Sequence, residues 1–383
     1  MLVGTFFPIV GGAQRQAQRL AEALLMRGWE LEVLTRRHTT DFPDGLPRRE
    51  IFNQVQIFRI FSKGFDKLDA LFFIFGGLIH LALQGTQGIF HAHDEGATSL
   101  LAISAARLLG GRSVIKLRTG RAFYIEQYAS PLKRYLFLLR LRGCNKIVVV
   151  NKEVKSYLGS IKIPEEKTAY IPNGIDIKNF RPASPRERSA AIKRLYFEQR
   201  RTCLFVGRLD RLKGCETLID AWATLSASVR AGCRLVIVGD GPFRAQVEKK
   251  IDDHGLQDSV RLEGMQEDVL QYYWAADLLV LPSEEEGLSN VLLEAMACGL
   301  PVLATNVGGA CDFITHGSNG WLFEGRDLYK AGHFSRIFEA ALAVEADWRK
   351  IGQRARETIE SNLDMSHIAE MYEQLYLSLF DER

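Results

Sequence analysis

The sequence predicts an α/β protein made of two doubly wound halves joined by a charged linker. Three observations predict it. Short β-branched or apolar runs alternate with longer amphipathic stretches, the pattern of βα units and parallel sheets. That rhythm pauses after Asp176 and restarts at Thr202. The chain has 383 residues, more than one ordinary core accommodates and comfortable for two.

The first half opens with Leu2–Phe7 as a strand, then Gly11-Gly12, then a helix from Ala13 to Arg27 that Gly28 stops. That strand is short for a central one, which implies either a misplaced start or a domain that tolerates trimming. Further strands are expected at Glu30–Thr35, Gln56–Ile60, Ile89–Ala92, Arg112–Leu117 and Lys146–Val150, with a basic amphipathic helix at Pro131–Arg142. Ala70–Leu83 is the longest apolar run. It has 14 residues and two glycines, short of the ~20 needed to span a bilayer. It reads as a buried helix, with an interfacial segment as the alternative. A turn at Asn173-Gly174 closes this half.

Residues from Lys178 to Glu198 are charged, carry Pro182 and Pro185, and read as a linker leading into a short helix. The second half then gives strands at Thr202–Val206, Arg234–Val238, Val260–Glu263, Leu278–Leu281 and Val302–Thr305, with a helix at Cys215–Leu225 and helices between the rest. After a break at Asn362, Met365–Leu379 is strongly helical. The domains are therefore 1–177 and 178–362.

Composition narrows the function. Hydrophobic residues at 47% and charged residues at 25% are those of a globular protein. A formal charge of +3 gives no support to nucleic-acid binding. The six cysteines are scattered without metal-ligand spacing, which fits a reducing cytoplasm. No basic segment precedes the first apolar run, so a signal peptide is not expected.

Three constellations carry chemistry. Gly11-Gly12-Ala13 would let a backbone approach a phosphate at a helix N-terminus, although a plain tight turn explains these residues equally well. Gly207-Arg208 through Lys213-Gly214 follows a parallel strand, at the edge where open α/β sheets bind ligands. An arginine fork and a lysine between glycines suit a diphosphate; taken alone, this spacing is more often a solvated basic loop. Pro282 through Gly299 (PSEEEGLSNVLLEAMACG) sets Glu286 before a glycine turn, Ser289 as helix N-cap and Glu294 inside an apolar run. A carboxylate buried there needs hydrogen bonds, as a bound diol would supply.

In these motifs the chain resembles the family 4 retaining glycosyltransferases of GT-B fold, also called glycosyl transferases group 1. Glu286 and Glu294 match the E-x7-E motif of that family. GGAQRQAQRLAEALLMRGWELEVLT, YIPNGIDIKNF, VGRLDRLKG, LVIVGDGP and PSEEEGLSNVLLEAMACGLPVLATNVGG occur in family order over nearly the whole chain. The resemblance implies two Rossmann-like domains facing across a cleft, with the last helix, 363–383, crossing back to complete the N-terminal domain. It implies Arg208 and Lys213 on the donor diphosphate in place of a metal, Glu286 on the transferred sugar and Glu294 on the ribose. Backbone groups at Leu288 and Ser289 would meet the phosphates, Gly207 would help bind the donor, Gly12 would pack against the sugar-phosphate, and Gly264 and Met265 would lie along the base.

One departure stands out. The family often has a histidine where this chain has Arg118, in Leu117-Arg118-Thr119-Gly120. Arg118 is the candidate electrostatic substitute. His91 and His93 end the preceding strand; His93 is the acceptor-side candidate, and two histidines without a third ligand argue against zinc.

The expected function is metal-independent transfer of a sugar from a nucleoside-diphosphate sugar to a hydroxyl acceptor, with retention and no cofactor beyond the donor. It would serve glycan, polysaccharide or glycolipid synthesis in the cytoplasm. The alternatives are a sugar-nucleotide epimerase of the same fold and a non-catalytic sugar-nucleotide binder. Pro131–Arg142 could also rest on an anionic membrane; a solvated basic face is the commoner explanation.

Overall fold

The structure, a computed structural model, describes residues 1–9, 11–38, 42, 44–62, 67–85, 87–324, 333–344 and 347–381. The chain divides into two compact units, 1–174 with 365–383, and 175–364.

The first unit runs α1 (Gly12–Met26), β1 (Glu32–Arg36), β2 (Arg49–Phe52), β3 (Val55–Ile60), α2 (Lys67–Leu83), β4 (Ile89–Ala92), α3 (Ala97–Leu109), β5 (Arg112–Leu117), α4 (Arg121–Gln127), α5 (Pro131–Gly143), β6 (Lys146–Val149), α6 (Lys152–Ser160) and β7 (Thr168–Tyr170). The C-terminal helix Met365–Asp381 completes it. Strands order as β1-β3-β2 and β4-β5-β6-β7. Leu2 bridges the two sets, pairing with Leu34 on one side and Ala92 on the other. Alternation along the strands builds two layers. Val33 and Ile57 pack with Ala17 and Ala21 of α1, while Leu34 and Phe58 pack with Phe73 of α2 and Leu101 of α3.

The sequence expectations need four corrections here. The Leu2–Phe7 strand shrinks to the bridge at Leu2, held by Leu2 N–H to the His91 carbonyl (2.7 Å) and Val3 N–H to the Leu34 carbonyl (3.0 Å); beyond Val3 the chain leaves the sheet. Asn173-Gly174 forms no turn, and a Cβ on Gly174 would stand 2.8 Å from Met365 Cε. Ala70–Leu83 is helical yet only half buried. Strands β2 and β7 lie outside the expected set; β2 joins β3 through a tight turn whose left-handed residues are Asn53 and Gln54 rather than a glycine pair.

The second unit runs α7 (Pro185–Leu195), β8 (Arg201–Val206), α8 (Cys215–Ala223), α9 (Ala227–Gly232), β9 (Cys233–Val238), α10 (Arg244–Asp253), β10 (Val260–Gly264), α11 (Leu270–Ala275), β11 (Leu278–Leu281), α12 (Asn290–Ala297), β12 (Val302–Thr305), α13 (Ala310–Phe313), β13 (Trp321–Phe323), α14 (His333–Ala343) and α15 (Trp348–Asn362). Its sheet is wholly parallel in the order β10-β9-β8-β11-β12-β13. β11 and β12 are buried along their whole length, as a sheet covered by helices on both faces requires. Both units are thus Rossmann-like, and the fold class expected from the sequence is the one observed. Among the described residues, no helix is long and apolar enough to cross a membrane.

Candidate active site

In an open parallel sheet, helices leave neighbouring strands in opposite directions at the switch in strand order, and a crevice opens at the strands' C-terminal ends. In the second unit that switch lies between β8 and β11. The segments leaving these strands are the two motifs singled out above, 207–214 and 282–289.

The structure joins them. The Lys213 ammonium forms an ion pair with the Glu286 carboxylate, both side chains largely sheltered. Lys213 ends a single 3-10 turn whose N-cap, Asp210, accepts from the Lys213 backbone N–H at 3.1 Å. Glu284 N–H donates to the Leu212 carbonyl at 2.8 Å, and Arg211 reaches the Glu284 carboxylate at 3.3 Å. Gly214, at φ +66, lets this turn sit against the strand end: a Cβ there would lie 2.2 Å from the Pro282 carbonyl oxygen. Gly308, at φ +54, does the same from the other side, where a Cβ would lie 2.0 Å from the Glu286 oxygen. Arg208 stands apart from this pair. Its side chain is 70% exposed, with Nε 3.8 Å from Asp210.

Beyond the turn, Leu288 is buried and Ser289 caps α12, its hydroxyl accepting from Leu292 N–H at 3.4 Å. The N-terminus of α12 therefore presents backbone N–H groups at the switch point. One turn on, Glu294 is 3% exposed and accepts a hydrogen bond from the Tyr273 hydroxyl at 3.0 Å. Gly207 continues β8, its N–H donating to the Val238 carbonyl at 3.0 Å. Gly264 ends β10, and Met265 follows it, 79% exposed.

The first unit has its own switch point, between residues 1–3 and β4, and a recess of about 310 Å³ opens there. Thr5, Gln14, Arg36, His93, Glu95 and Arg118 are among the residues lining it. Gln14, in the first turn of α1, donates to the Thr5 hydroxyl at 2.5 Å and so fixes the loop before Gly12. Arg118 is exposed on the recess, whereas His93 is 4% exposed. Burial, with His91 and Lys116 alongside, holds the His93 imidazole well below the usual histidine range. His91 is depressed likewise by burial and by Lys116, and its Nδ1 meets the Tyr376 hydroxyl at 2.7 Å. Burial brings Lys116 itself down to about 7, and its ammonium donates to the Asn173 side chain at 3.1 Å. Two imidazoles held low and a lysine brought down to about 7 thus sit under the C-terminal helix. Glu95 is pushed upward, mainly by burial.

Residues 10–179 match the family described as Glycosyltransferase Family 4, and residues 188–358 match Glycosyl transferases group 1. An uncharacterized glycosyltransferase of Methanocaldococcus jannaschii is 30% identical over 330 residues, which is 82% of either chain. The chain belongs to the group 1 glycosyltransferases. This group 1 glycosyltransferase is an enzyme that transfers glycosyl groups. It is 24% identical to the N-acetyl-alpha-D-glucosaminyl L-malate synthase of Bacillus anthracis, across 97% of its own length and 95% of that protein's. Anabaena HepE, solved in complex with UDP, shares its fold with a TM-score of 0.81 over 98% of each chain, at 20% identity.

Within the glycosyltransferase, Lys213 meets Glu286 across the two turns that follow β8 and β11, and Leu288 and Ser289 continue the second of them. Glu294 lies one helical turn behind. Sequence reasoning passed over Tyr273, which orients Glu294 but has no signature beyond an aromatic residue in an apolar helix. It also passed over Thr305, whose hydroxyl donates to the Ser283 carbonyl at 2.6 Å and pins the strand end.

Proposed function

We propose that this glycosyltransferase moves a sugar from a nucleoside-diphosphate sugar to a hydroxyl acceptor, with retention and without a metal. The observation that carries the reading is the Lys213–Glu286 pair at the switch point of the second unit. The reaction makes a diphosphate leaving group, so its chief demand is stabilisation of negative charge. Lys213, Arg208 and the N–H groups of α12 supply positive potential without a metal ion. Glu286 then contacts the hydroxyls of the transferred sugar, and Glu294, oriented by Tyr273, takes the ribose diol. Gly207 lies close to the phosphates, and Gly264 and Met265 along the base. In the first unit, Gly12 approaches the sugar-phosphate, Arg118 adds charge near the sugar, and the His93 recess receives the acceptor. The UDP complex of Anabaena HepE supports a nucleoside-diphosphate donor. The Glu286–Glu294 spacing, shared with the retaining family, supports retention.

The test incubates the protein with a panel of sugar nucleotides in excess chelator and follows nucleoside-diphosphate release and the product anomer by NMR. Release with the donor's anomeric configuration kept is expected. An isomerised sugar nucleotide with no diphosphate released, or an absolute requirement for added divalent cation, would overturn the reading.

A further inference from the structure

Helix α2 carries its apolar side outward. Leu68, Leu71, Phe72, Phe75, Ile79 and Leu83 are between 49% and 84% exposed. Two ionisable side chains of the same helix turn inward instead: Asp69 to Arg36 at 3.1 Å, and His80 to Glu32 at 2.7 Å. A surface helix of a globular protein ordinarily does the reverse. Phe73 and Leu81 fill the core behind it, so the outward row is surplus to folding.

Helix α5 adds a second strip. Leu132, Tyr135, Leu136 and Leu139 are 42–66% exposed beside the exposed Lys133, Arg134 and Arg142. Between Pro131 and Gly143 there is no acidic residue. Both helices pack against α3, on the sheet face opposite α1. Neighbouring helices stand ~8–10 Å apart, so the two strips are separated by the width of α3. A peptide in a groove would meet one strip or the other. A plane meets both.

We propose that this face docks the enzyme on an anionic phospholipid bilayer, α2 inserting its Leu/Phe/Ile row at the interface while the basic strip of α5 engages headgroups. Charge complementarity selects the occupant: an uncharged ridge beside an apolar strip whose charges are all basic suits apolar chains beneath anionic heads. Aromatic rings at Phe72, Phe75 and Tyr135 suit the interfacial zone. None of these residues belongs to the donor turn or the recess, so this inference stands apart from the donor chemistry.

The test is co-sedimentation of the full chain with vesicles of phosphatidylcholine alone or with about one third phosphatidylglycerol. The wild type should bind the anionic vesicles more tightly, and less so as salt rises. Phe72→Ser with Phe75→Ser and Ile79→Ser should weaken binding by roughly a hundredfold or more. Lys133→Glu with Arg134→Glu should lower binding roughly tenfold and remove the preference for anionic lipid. Donor hydrolysis in solution should be unchanged in both variants, which separates lost docking from lost folding. Failure of the wild type to bind either vesicle would overturn the proposal, as would unaltered binding by the triple serine variant. So would a concentration-dependent dimer that the serine variant dissolves, since the ridge would then be covered by a second copy.

Discussion

Lys213 and Glu286 form an ion pair although 73 residues separate them in the chain. Neither could be held there by its own segment. The lysine turn follows β8 and the glutamate turn follows β11, and these strands pair side by side at the switch in strand order. The pair is therefore a product of topology, and each partner keeps the other extended toward the strand ends.

Backbone packing around Glu286 gives the first prediction. Gly308→Ala puts a Cβ 2.0 Å from the Glu286 carbonyl oxygen, at φ +54. The left-handed conformation alone costs about 1 kcal/mol for alanine, and the carbonyl must also move. The variant should lose more than about tenfold in donor turnover while its melting midpoint falls only a few degrees. Unchanged turnover would show that the position of the Glu286 turn is immaterial.

Tyr273 and Glu294 give the second. Glu294→Gln should raise the donor KM more than it lowers kcat, because a ribose contact is equally strong before and during reaction. Tyr273→Phe should shift KM the same way by a smaller factor, since it removes one hydrogen bond at 3.0 Å and leaves the carboxylate. Steady-state kinetics on both variants checks this; a fall in kcat at constant KM contradicts the ribose assignment.

The buried His91, His93 and Lys116 cluster in the first unit makes stability depend on pH. His91 and His93 are held below the ordinary value of 6.5, so the unfolded chain binds more protons than the folded one as pH falls through 6.5. Each histidine then removes up to about 1.4 kcal/mol per pH unit. Lys116 acts in the same direction higher up: stability falls as pH drops from 10.5 toward about 7. Denaturant melts between about pH 7 and 5 should show uptake of about two protons on unfolding, and His91→Leu should remove about one. A flat profile would mean the imidazoles are not buried neutral.

How much of this was legible in the sequence differs by residue. Ser289 as N-cap and Gly207 through Gly214 as a loop after a strand could be read directly, because capping and glycine punctuation are local chemistry. Glu294 could be singled out because a carboxylate in Val291–Ala297 has no local reason to be buried. Tyr273 could not, since its role depends on a contact 21 residues away. The outward face of α2, in a run that reads as buried with an interfacial segment as the alternative, is illegible for a related reason. Periodicity distinguishes apolar from polar faces, and a run apolar all round carries no mark of which side the core will cover.

Arg118, at the position where the family resemblance implies an imidazole, is exposed on the recess of the first unit. A guanidinium cannot serve as a base at neutral pH, so the part proposed for it is electrostatic and orienting. Arg118→Lys should keep partial activity and Arg118→Ala lose most of it, with donor affinity changing less than turnover. An alanine variant of normal turnover would assign Arg118 to an exposed surface charge worth little.

The most direct test of the donor chemistry is the turnover number of Lys213→Ala and Arg208→Ala, each measured at saturating sugar nucleotide in excess chelator. Wild-type turnover should survive the chelator, and each variant should fall by about a hundredfold or more, the usual loss when a charge on the leaving group goes unopposed. Near-normal turnover in both variants, or wild-type activity abolished by chelator and restored by magnesium or manganese, would contradict the account.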